Sequence, residues 1–542
     1  MNSKRHNPIV HLLPSLTDLA FLLPLIFLFL KFDGAKGLLG DGDTGWHIKT
    51  GEWILANHRV PHNDLFSFTK PDAPWFAWEW LCDIFFAILH QQWGLAGVVG
   101  LGMLLLCGTS ALLFRLIMRH CSNPLLAILI TFIAVGASTI HWLARPHLFT
   151  MFLTVVFLYI LDKSRDAGAN PRILIALPIL TALWTNLHGG FMTGLILLFF
   201  YTMGEGIAFA LDADRENART HLRTGKLYAL TFAACALASL LNPYTFRLHL
   251  FIWNFLGQPF LHGISEWMTP NFHGPYQRFY EALLLPALGV AVWSLIKRRY
   301  SDVLTIAAWA HLSLFAARNV PIFVIVASPI VARNLEEMME ALKSAPLAKW
   351  FLNVLQEIKD LGTEFAVIDQ AWRVHAVSAA VFLAVTVTMT SGRLSEKYAA
   401  TWDAEHFPVK AAEMFASRPG HPRVFTTDQW ADFLIYRFYP KWRVFFDDRA
   451  DMYGNTFFEN YGKIVNAGLD WQKSLDQYQV ESVLVPVDLP LTGAMKESRL
   501  WRAVYDDHYA IVFDRVGLVP HLAAGDAADN NPKLAFAAGH EK

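Results

Sequence analysis

Three groups of residues in this 542-residue chain have the types and spacing to do chemistry. The first is acidic, Asp41-Gly42-Asp43-Thr44-Gly45-Trp46-His47. If a helix begins at Thr44 and runs to about Ala56, Asp43 and His47 lie about one turn apart near its start, where they could share a proton or a metal ion. Asp-Gly-Asp-Thr also suits an ordinary turn followed by a helix N-cap. His62, Asp64 and Glu79 are further candidates in the same stretch, each equally suited to a turn or a membrane interface. The second group is basic: Arg145-Pro146-His147, Asn186-Leu187-His188-Gly189-Gly190, Asn242-Pro243-Tyr244 with Arg247 and His249, Ser265-Glu266-Trp267 and Arg318-Asn319. Each lies at the end of an apolar run, and ionisable side chains at such depth are costly unless they face a hydrated, protein-lined cavity. The plainer role for Arg145 and Arg318 is an anchor reaching toward lipid headgroups. For His147 and His188 it is packing, for Asn242-Pro243-Tyr244 a helix end, and for Gly189-Gly190 close helix contact. The third group follows short β-like runs late in the chain: Asp428, then Asp447-Asp448-Arg449 with Asp451, then Asp488. If those strands are parallel, their carboxyl ends face a common crevice, although acids at strand ends also serve as turn residues.

The elements that must hold these groups follow from composition. The chain is 54% hydrophobic and 17% charged, against roughly 25% charged in a soluble protein. A soluble enzyme is thereby disfavoured, and a net charge of -1 provides no global field to recruit nucleic acid. The four cysteines stand far apart in apolar stretches without a CxxC pair, which argues against a zinc site or a disulfide framework. About eleven apolar runs approach the length needed to cross a bilayer: 15–32, 94–117, 123–143, 147–162, 172–187, 190–211, 226–241, 279–296, 302–317, 319–333 and 374–391. The shorter run 78–90, between Pro74 and Gly94, reads as an interfacial helix.

Loop charge orients these runs. An inside N-terminus with Lys4 and Arg5 puts Arg115, Arg119, Lys163, Arg165, Arg172, Arg215, Arg219, Arg223, Lys226, Lys297, Arg298 and Arg299 on the same side. The opposite short loops hold only Arg145 and Arg318, so the positive-inside rule favours a cytoplasmic N-terminus. The expected organisation is a transmembrane domain over 1–391 with a first extracytoplasmic loop at 33–79. A helix on the cytoplasmic surface is expected at 334–370, an extracytoplasmic α/β domain at 395–520 and a disordered tail at 521–542. Strands are expected at 423–426, 443–446, 482–487 and 510–513, with a helix between Trp471 and Tyr478.

This α-helical polytopic arrangement, with its C-terminal soluble α/β domain, resembles the GT-C glycosyltransferases, membrane enzymes that use polyprenyl-phosphate sugars. The resemblance covers most of the chain as architecture. Its sharper part is Asp41-Gly42-Asp43-Thr44-Gly45-Trp46-His47 with Gly51-Glu52-Trp53, then Arg145-Pro146-His147, Asn186-Leu187-His188-Gly189-Gly190, Asn242-Pro243-Tyr244 and Arg318-Asn319-Val320-Pro321. This set looks like a bacterial branch related to protein mannosyltransferases and lipid A aminoarabinose transferases. The resemblance implies a multi-pass protein of the bacterial inner membrane, a polyprenyl-phosphate sugar donor, an envelope acceptor and no nucleic-acid partner. It makes Asp41 or Asp43 either the catalytic base or a ligand of a divalent cation, Mg or Mn; the spacing of Asp43 and His47, apart from the resemblance, offers His47 as a further ligand. Thr427-Asp428-Gln429-Trp430, followed by Asp447-Asp448-Arg449, loosely resembles the acceptor motif of oligosaccharyltransferase catalytic subunits. It departs from that motif in having Gln before Trp and no Trp-Trp-Asp-Tyr-Gly run.

Under this reading an acceptor hydroxyl attacks the anomeric carbon from the face opposite the departing phosphate, so the product is inverted. The reaction needs a carboxylate within reach of the acceptor, for which Asp43 is preferred over Asp41. It also needs a cationic cluster at the leaving phosphate, for which Arg145, His147, His188 and Arg318 fit, with Arg247 and His249 as weaker members. Asp428, Trp430, Asp447, Asp448 and Arg449 would orient the acceptor. Two rivals use the same residues without catalysis. One is a transporter or flippase for a lipid-linked sugar, for which repeated halves are expected and none is seen. The other is an assembly scaffold, which leaves the acidic and basic groups without a joint purpose.

Overall fold

The computed structural model describes residues 11–517 except 167, 275–276, 344–345, 370–372, 392–397, 419 and 421. The expected tail, 521–542, lies outside the described residues. The chain divides into two compact units, Met1–Gly37 with Val99–Thr245 and His262–Ala399, and Leu38–Val98 with Phe246–Leu261 and Ala400–Lys542.

In the first unit a helix stands at each of the expected apolar runs. In chain order they are Leu16–Lys31, Leu95–Ile117, Pro124–Ser138, His147–Lys163, Ala176–Trp184, Met192–Leu211, Arg215–Ala238, Gln277–Ile296, Tyr300–Phe315, Val320–Leu342 and Ala376–Ser391. Those with the length and composition to cross a membrane are Leu95–Ile117, Pro124–His141, Gly189–Leu211 and Gln277–Ile296. The starts are set by local chemistry. Ser15 and Asp18 form a reciprocal capping box, and the Asn123 side chain accepts from the Leu125 and Leu126 amides just ahead of Pro124. Asp18 also accepts from Ser378 Oγ at 2.5 Å, tying the first helix to Ala376–Ser391. The single surface helix expected at 334–370 is two elements. Its first part continues Val320–Leu342, and Lys349–Asp369 follows.

The second unit contains the first-loop helix Asp43–Asn57, the helix Trp80–Trp93 at the expected interfacial run, and a four-stranded sheet. Strand β1 (Val424–Thr426) pairs in parallel with β2 (Ser482–Pro486). In chain order β3 (Trp501–Asp506) and β4 (Ala510–Arg515) follow. β4 runs antiparallel to β2 and to β3, giving the order β1-β2-β4-β3. The expected strand 443–446 is not in this sheet. Val444 instead bridges Ser67, with its amide donating to the Phe66 carbonyl at 2.8 Å and its carbonyl accepting from the Phe68 amide at 3.0 Å. The extended run reads as a strand because it does pair, but with the first loop. β3 carried little signal because most of its side chains are exposed at the sheet edge, so apolar alternation is absent.

Three glycines set how closely helices approach Asp43–Asn57. A Cβ on Gly45 would stand 2.7 Å from the Asp432 carbonyl and 2.9 Å from Tyr436 Cβ, both on the helix Asp428–Phe438. One on Gly42 would collide with the Gln429 carbonyl of the same helix, and one on Gly51 with the Asp83 carbonyl of Trp80–Trp93. The spacing of Gly42, Gly45 and Gly51 thus seats one helix on each side of the acidic motif.

Candidate functional site

Asp41, Asp43 and Asp448 can each direct a carboxylate oxygen to a point where all three lie within 4.8 Å of one another. The first two are fixed by the start of the helix. Asp43 donates its amide to Asp41 Oδ1 at 2.9 Å, and Trp46 Nε1 donates to Asp43 Oδ1 at 3.1 Å. The third is held by Gln429, whose Oε1 accepts from the Gly42 amide at 2.7 Å and whose side-chain amide donates to Asp448. Gln429 therefore links the first-loop motif to the aspartate pair some four hundred residues along the chain.

Two more aspartates, Asp432 and Asp428, stand against this group. Asp432, one turn beyond Asp428, is fully buried, and neither of its carboxylate oxygens has a hydrogen-bond partner among the described residues. Burial first, and then the charges of Asp43 and Asp447, push its pKa far above the carboxylate range. Asp448 is raised in the same way by burial and then by Asp432. Asp428 is raised by burial, its backbone amide donating to Tyr461 Oη at 2.9 Å. A cluster of oxygen donors, Asp43 buried and Asp41 and Asp448 half-buried, beside the orphaned carboxylate of Asp432, matches what a hard divalent cation such as Mg or Mn requires. Asp41, Asp43 and Asp448 would hold it.

Other residues singled out from the sequence have different partners. His47 is not in this group. Its Nδ1 lies 2.6 Å from Asp83 Oδ1 and its Nε2 3.8 Å from Glu79. Burial and then Glu79 raise the Asp83 pKa well above its usual value, which suits a carboxyl that shares a proton with the imidazole. Asp447 and Arg449 are likewise turned inward. Arg449 Nε donates to Asp447 Oδ1 at 2.8 Å, and its Nη2 donates to Asp447 Oδ2 and to Asp64 Oδ1, both at 2.7 Å. The guanidinium carbon sits 4.7 Å from the Phe66 ring centre and 4.6 Å from that of Trp75. This buried clamp fastens the first loop to the segment after β1. Trp430 is 6% exposed and donates Nε1 to the His406 carbonyl at 2.7 Å. Of the five acceptor candidates, Asp428 and Asp448 thus remain at the acidic cluster.

The basic group of the first unit is organised around an acid. Glu266, in the short 3-10 turn Ser265–Trp267, accepts from Arg318 Nη1 at 2.9 Å. Its other oxygen is 3.7 Å from Arg145 Nη1 and 3.6 Å from His141 Nδ1. Arg318 lies over the Trp267 ring at 4.3 Å. Burial alone would raise the Glu266 pKa, but Arg318 and then Arg145 outweigh it and hold the carboxyl at about 2. His147 Nε2 donates to the His141 carbonyl at 2.8 Å, and the two rings lie 4.0 Å apart. His188 Nδ1 accepts from the Gly190 amide at 2.9 Å and lies 2.8 Å from Thr150 Oγ1, which in turn accepts from Trp184 Nε1. With Nδ1 accepting, the proton sits on Nε2. Burial and then Arg318 keep the ring neutral by pushing its pKa down to about 3.

The structure therefore brings Arg145, His147, His188 and Arg318 into one electrostatic group. Arg247 and His249 lie on the helix Phe246–Leu256 of the other unit. Sequence reading assigned no role to Glu266 or His141, and none to Asp432 or Gln429. Glu266 was visible as a lone acid among basic run ends. Asp432 carries no local signal, since its acidic neighbours Asp43 and Asp447 lie elsewhere in the sequence.

No protein-family model matches the chain, and neither does any curated protein sequence. Among solved structures, ArnT from Cupriavidus metallidurans bound to undecaprenyl phosphate covers 94% of this chain and 98% of its own at 13% identity, with a TM-score of 0.40. The archaeal oligosaccharyltransferase AglB from Archaeoglobus fulgidus, solved with an inhibitory peptide and a dolichol-phosphate, matches at a TM-score of 0.52 and 12% identity over 87% of this chain and 69% of its own. The resemblance to the GT-C glycosyltransferases, first read from short motifs, thus holds at the level of the fold.

Proposed function

We propose that the chain is a membrane glycosyltransferase that moves a sugar from a polyprenyl-phosphate carrier to an envelope acceptor at the extracytoplasmic face, with inversion. The observation that carries this reading is the convergence of Asp41, Asp43 and Asp448 beside the partnerless Asp432. A scaffold has no need of so many carboxyl groups gathered against one another. The fold shared with AglB, whose structure contains a dolichol-phosphate, supports a carrier lipid of that class.

Each group of residues meets one requirement of the reaction. Asp43 accepts the proton of the acceptor hydroxyl as its oxygen forms the new bond to the anomeric carbon. The bond from that carbon to the phosphate oxygen breaks, and the electron pair leaves with the phosphate. Arg145 and Arg318 stabilise the charge gathering there, with His188 donating from Nε2 as a neutral imidazole. Asp41, Asp43 and Asp448 would hold a divalent cation, which when bound would supply Lewis-acid stabilisation of negative charge. Asp428 orients the acceptor. Eleven spans with a cytoplasmic N-terminus, in a bacterial inner membrane, complete the proposal.

The test is a transfer assay with purified protein, polyprenyl-phosphate sugars and total envelope acceptor, with Asp43→Asn and Asp41→Asn alongside. Release of polyprenyl phosphate that disappears in one variant supports the reading. Binding of the carrier with no turnover of any donor by the wild type removes it.

A further inference from the structure

The second unit has a concavity of about 360 Å³ formed by Lys70 of the first loop and the segment that includes Thr456, Phe457, Asn460 and Tyr478. A smaller cavity of about 60 Å³ adjoins it, sharing Phe457, Asn460 and Tyr478 and reaching Tyr461 and Gln477. The walls are aromatic. The Phe457 and Tyr478 rings meet edge to face at 5.9 Å, and the Lys70 ammonium stands 5.7 Å from the Phe457 ring centre. The rim is polar, with Thr456, Asn460 and Gln477 exposed and Lys70 and Tyr478 half-buried.

No hydrogen bond occupies the side-chain polar groups of Lys70, Thr456, Asn460, Gln477 or Tyr478 among the described residues. Neighbouring Asn455 differs, since it accepts from the Phe260 amide at 3.0 Å and donates to Gln258 at 2.7 Å. Asn455 fastens the domain, whereas the other five leave donors and acceptors directed to the rim of an aromatic-walled hollow. A single ammonium and no guanidinium is too little charge for a nucleotide or polyphosphate. A pyranose, by contrast, presents an apolar C–H face to a ring and hydroxyls around its edge to amides, hydroxyls and an ammonium. The volume lies within the range of small-molecule sites and admits one or two sugar rings.

We infer that this cleft binds a saccharide. Tyr461 reaches from the cleft to the acidic cluster, accepting the Asp428 amide hydrogen bond, so a sugar chain seated here continues toward the cluster. Its role as the acceptor subsite rests on the transferase reading above, whereas binding of the saccharide does not.

The probes are methyl β-glucoside, methyl α-mannoside, cellobiose and N,N′-diacetylchitobiose, titrated into the full chain in detergent and followed by saturation-transfer NMR. At least one should bind saturably. Asn460→Ala and Tyr478→Ala should weaken it about tenfold or more, in keeping with one lost hydrogen bond and one lost ring contact. Both positions are on the rim, and an unchanged melting temperature shows that the fold is kept. Asp43→Asn should bind the sugar as wild type does. Failure of every probe to saturate, or equal binding by all variants, overturns the cleft. If transfer assays fail while a probe binds with the expected variant pattern, the transferase reading falls and the saccharide site stands. If transfer proceeds with an acceptor KM untouched by Asn460→Ala, the acceptor role of the cleft falls instead.

Discussion

The acidic cluster of the second unit and the basic cluster of the first handle charge in opposite ways. Around Glu266 the charge is only partly offset, two arginines against one carboxylate leaving a net positive charge, and the side chains of all three are 21% exposed, within reach of an incoming anion. Around Asp43 the acids accumulate, Arg449 being turned away to Asp447 and Asp64, and Asp432 is left with no partner. Burial near like charge is tolerated only if protons or a cation relieve it. On the function proposed above, the first region exchanges one anion for another and the second takes up a cation.

The largest effect expected from this difference separates turnover from binding. Asp43→Asn keeps the size and the Trp46 contact of the side chain but removes the base, so the rate of transfer should fall about a thousandfold, within the range of general-base catalysis. Binding of polyprenyl phosphate should scarcely change. A variant that loses binding instead would erase the division between the two regions. In the basic cluster the loss should fall on the other parameter. Arg318→Gln removes a charged donor worth about 1.5–3 kcal/mol and should raise the donor KM about ten- to a hundredfold. That loss should shrink somewhat at high salt, where the half-buried guanidinium is partly screened.

The cation asymmetry is open to calorimetry. Asp432, Asp448 and Asp428 have raised pKa values, so the folded state holds protons that the unfolded chain has released. The cluster therefore contributes a destabilisation that grows as pH rises above the ordinary carboxylate value, up to the raised one. A cation competes with those protons and binds better as they leave. Mn2+ at about a hundred times its dissociation constant should then stabilise by about 2.7 kcal/mol near pH 8, and by much less near pH 5. Equal shifts at both values would mean that the cation sits elsewhere. The same helix allows a purely steric control. Gly45→Val drives two methyl groups toward the Asp432 carbonyl and should cost about 1–3 kcal/mol as a lowered melting temperature, whatever the cation.

How much of this was legible in the sequence depends on how local each signal was. The eleven helices follow from composition over twenty-residue windows, and the helix after Asp43 from its own turn chemistry. Arg145, His147, His188 and Arg318 could be grouped because each sits at the end of a run on the same expected side. The pairing of His47 was misread because Asp83, thirty-six residues on, competes with the nearby Asp43. Arg449 and Trp430 looked like binding groups until burial showed them bonded to Asp64 and to the His406 carbonyl, both distant in sequence. The packing role of Gly42 and Gly45 depends on where the helix Asp428–Phe438 lies, which the first-loop sequence does not encode. What escaped in each case was a long-range contact, which no periodicity encodes.

The smallest expected effect probes the basic cluster most sharply. Glu266 takes the hydrogen bond of Arg318 and faces Arg145, so a phosphate that binds these arginines must displace the carboxylate or share them with it. Glu266→Gln keeps the shape and removes the competing charge. Polyprenyl phosphate should then bind about three- to tenfold tighter, the scale of one exposed ion pair. Glu266 at about 2 and His188 at about 3 keep their charge states from pH 5 to 8, so the affinities of wild type and variant should change in parallel, following only the second ionisation of the phosphate at about pH 6. Turnover should still vary with pH through the acidic cluster, so the two regions separate along one axis. Looser binding in Glu266→Gln would show that the carboxylate holds Arg318 over Trp267 in its working position, and the region would be a preformed cradle with no exchange of anions.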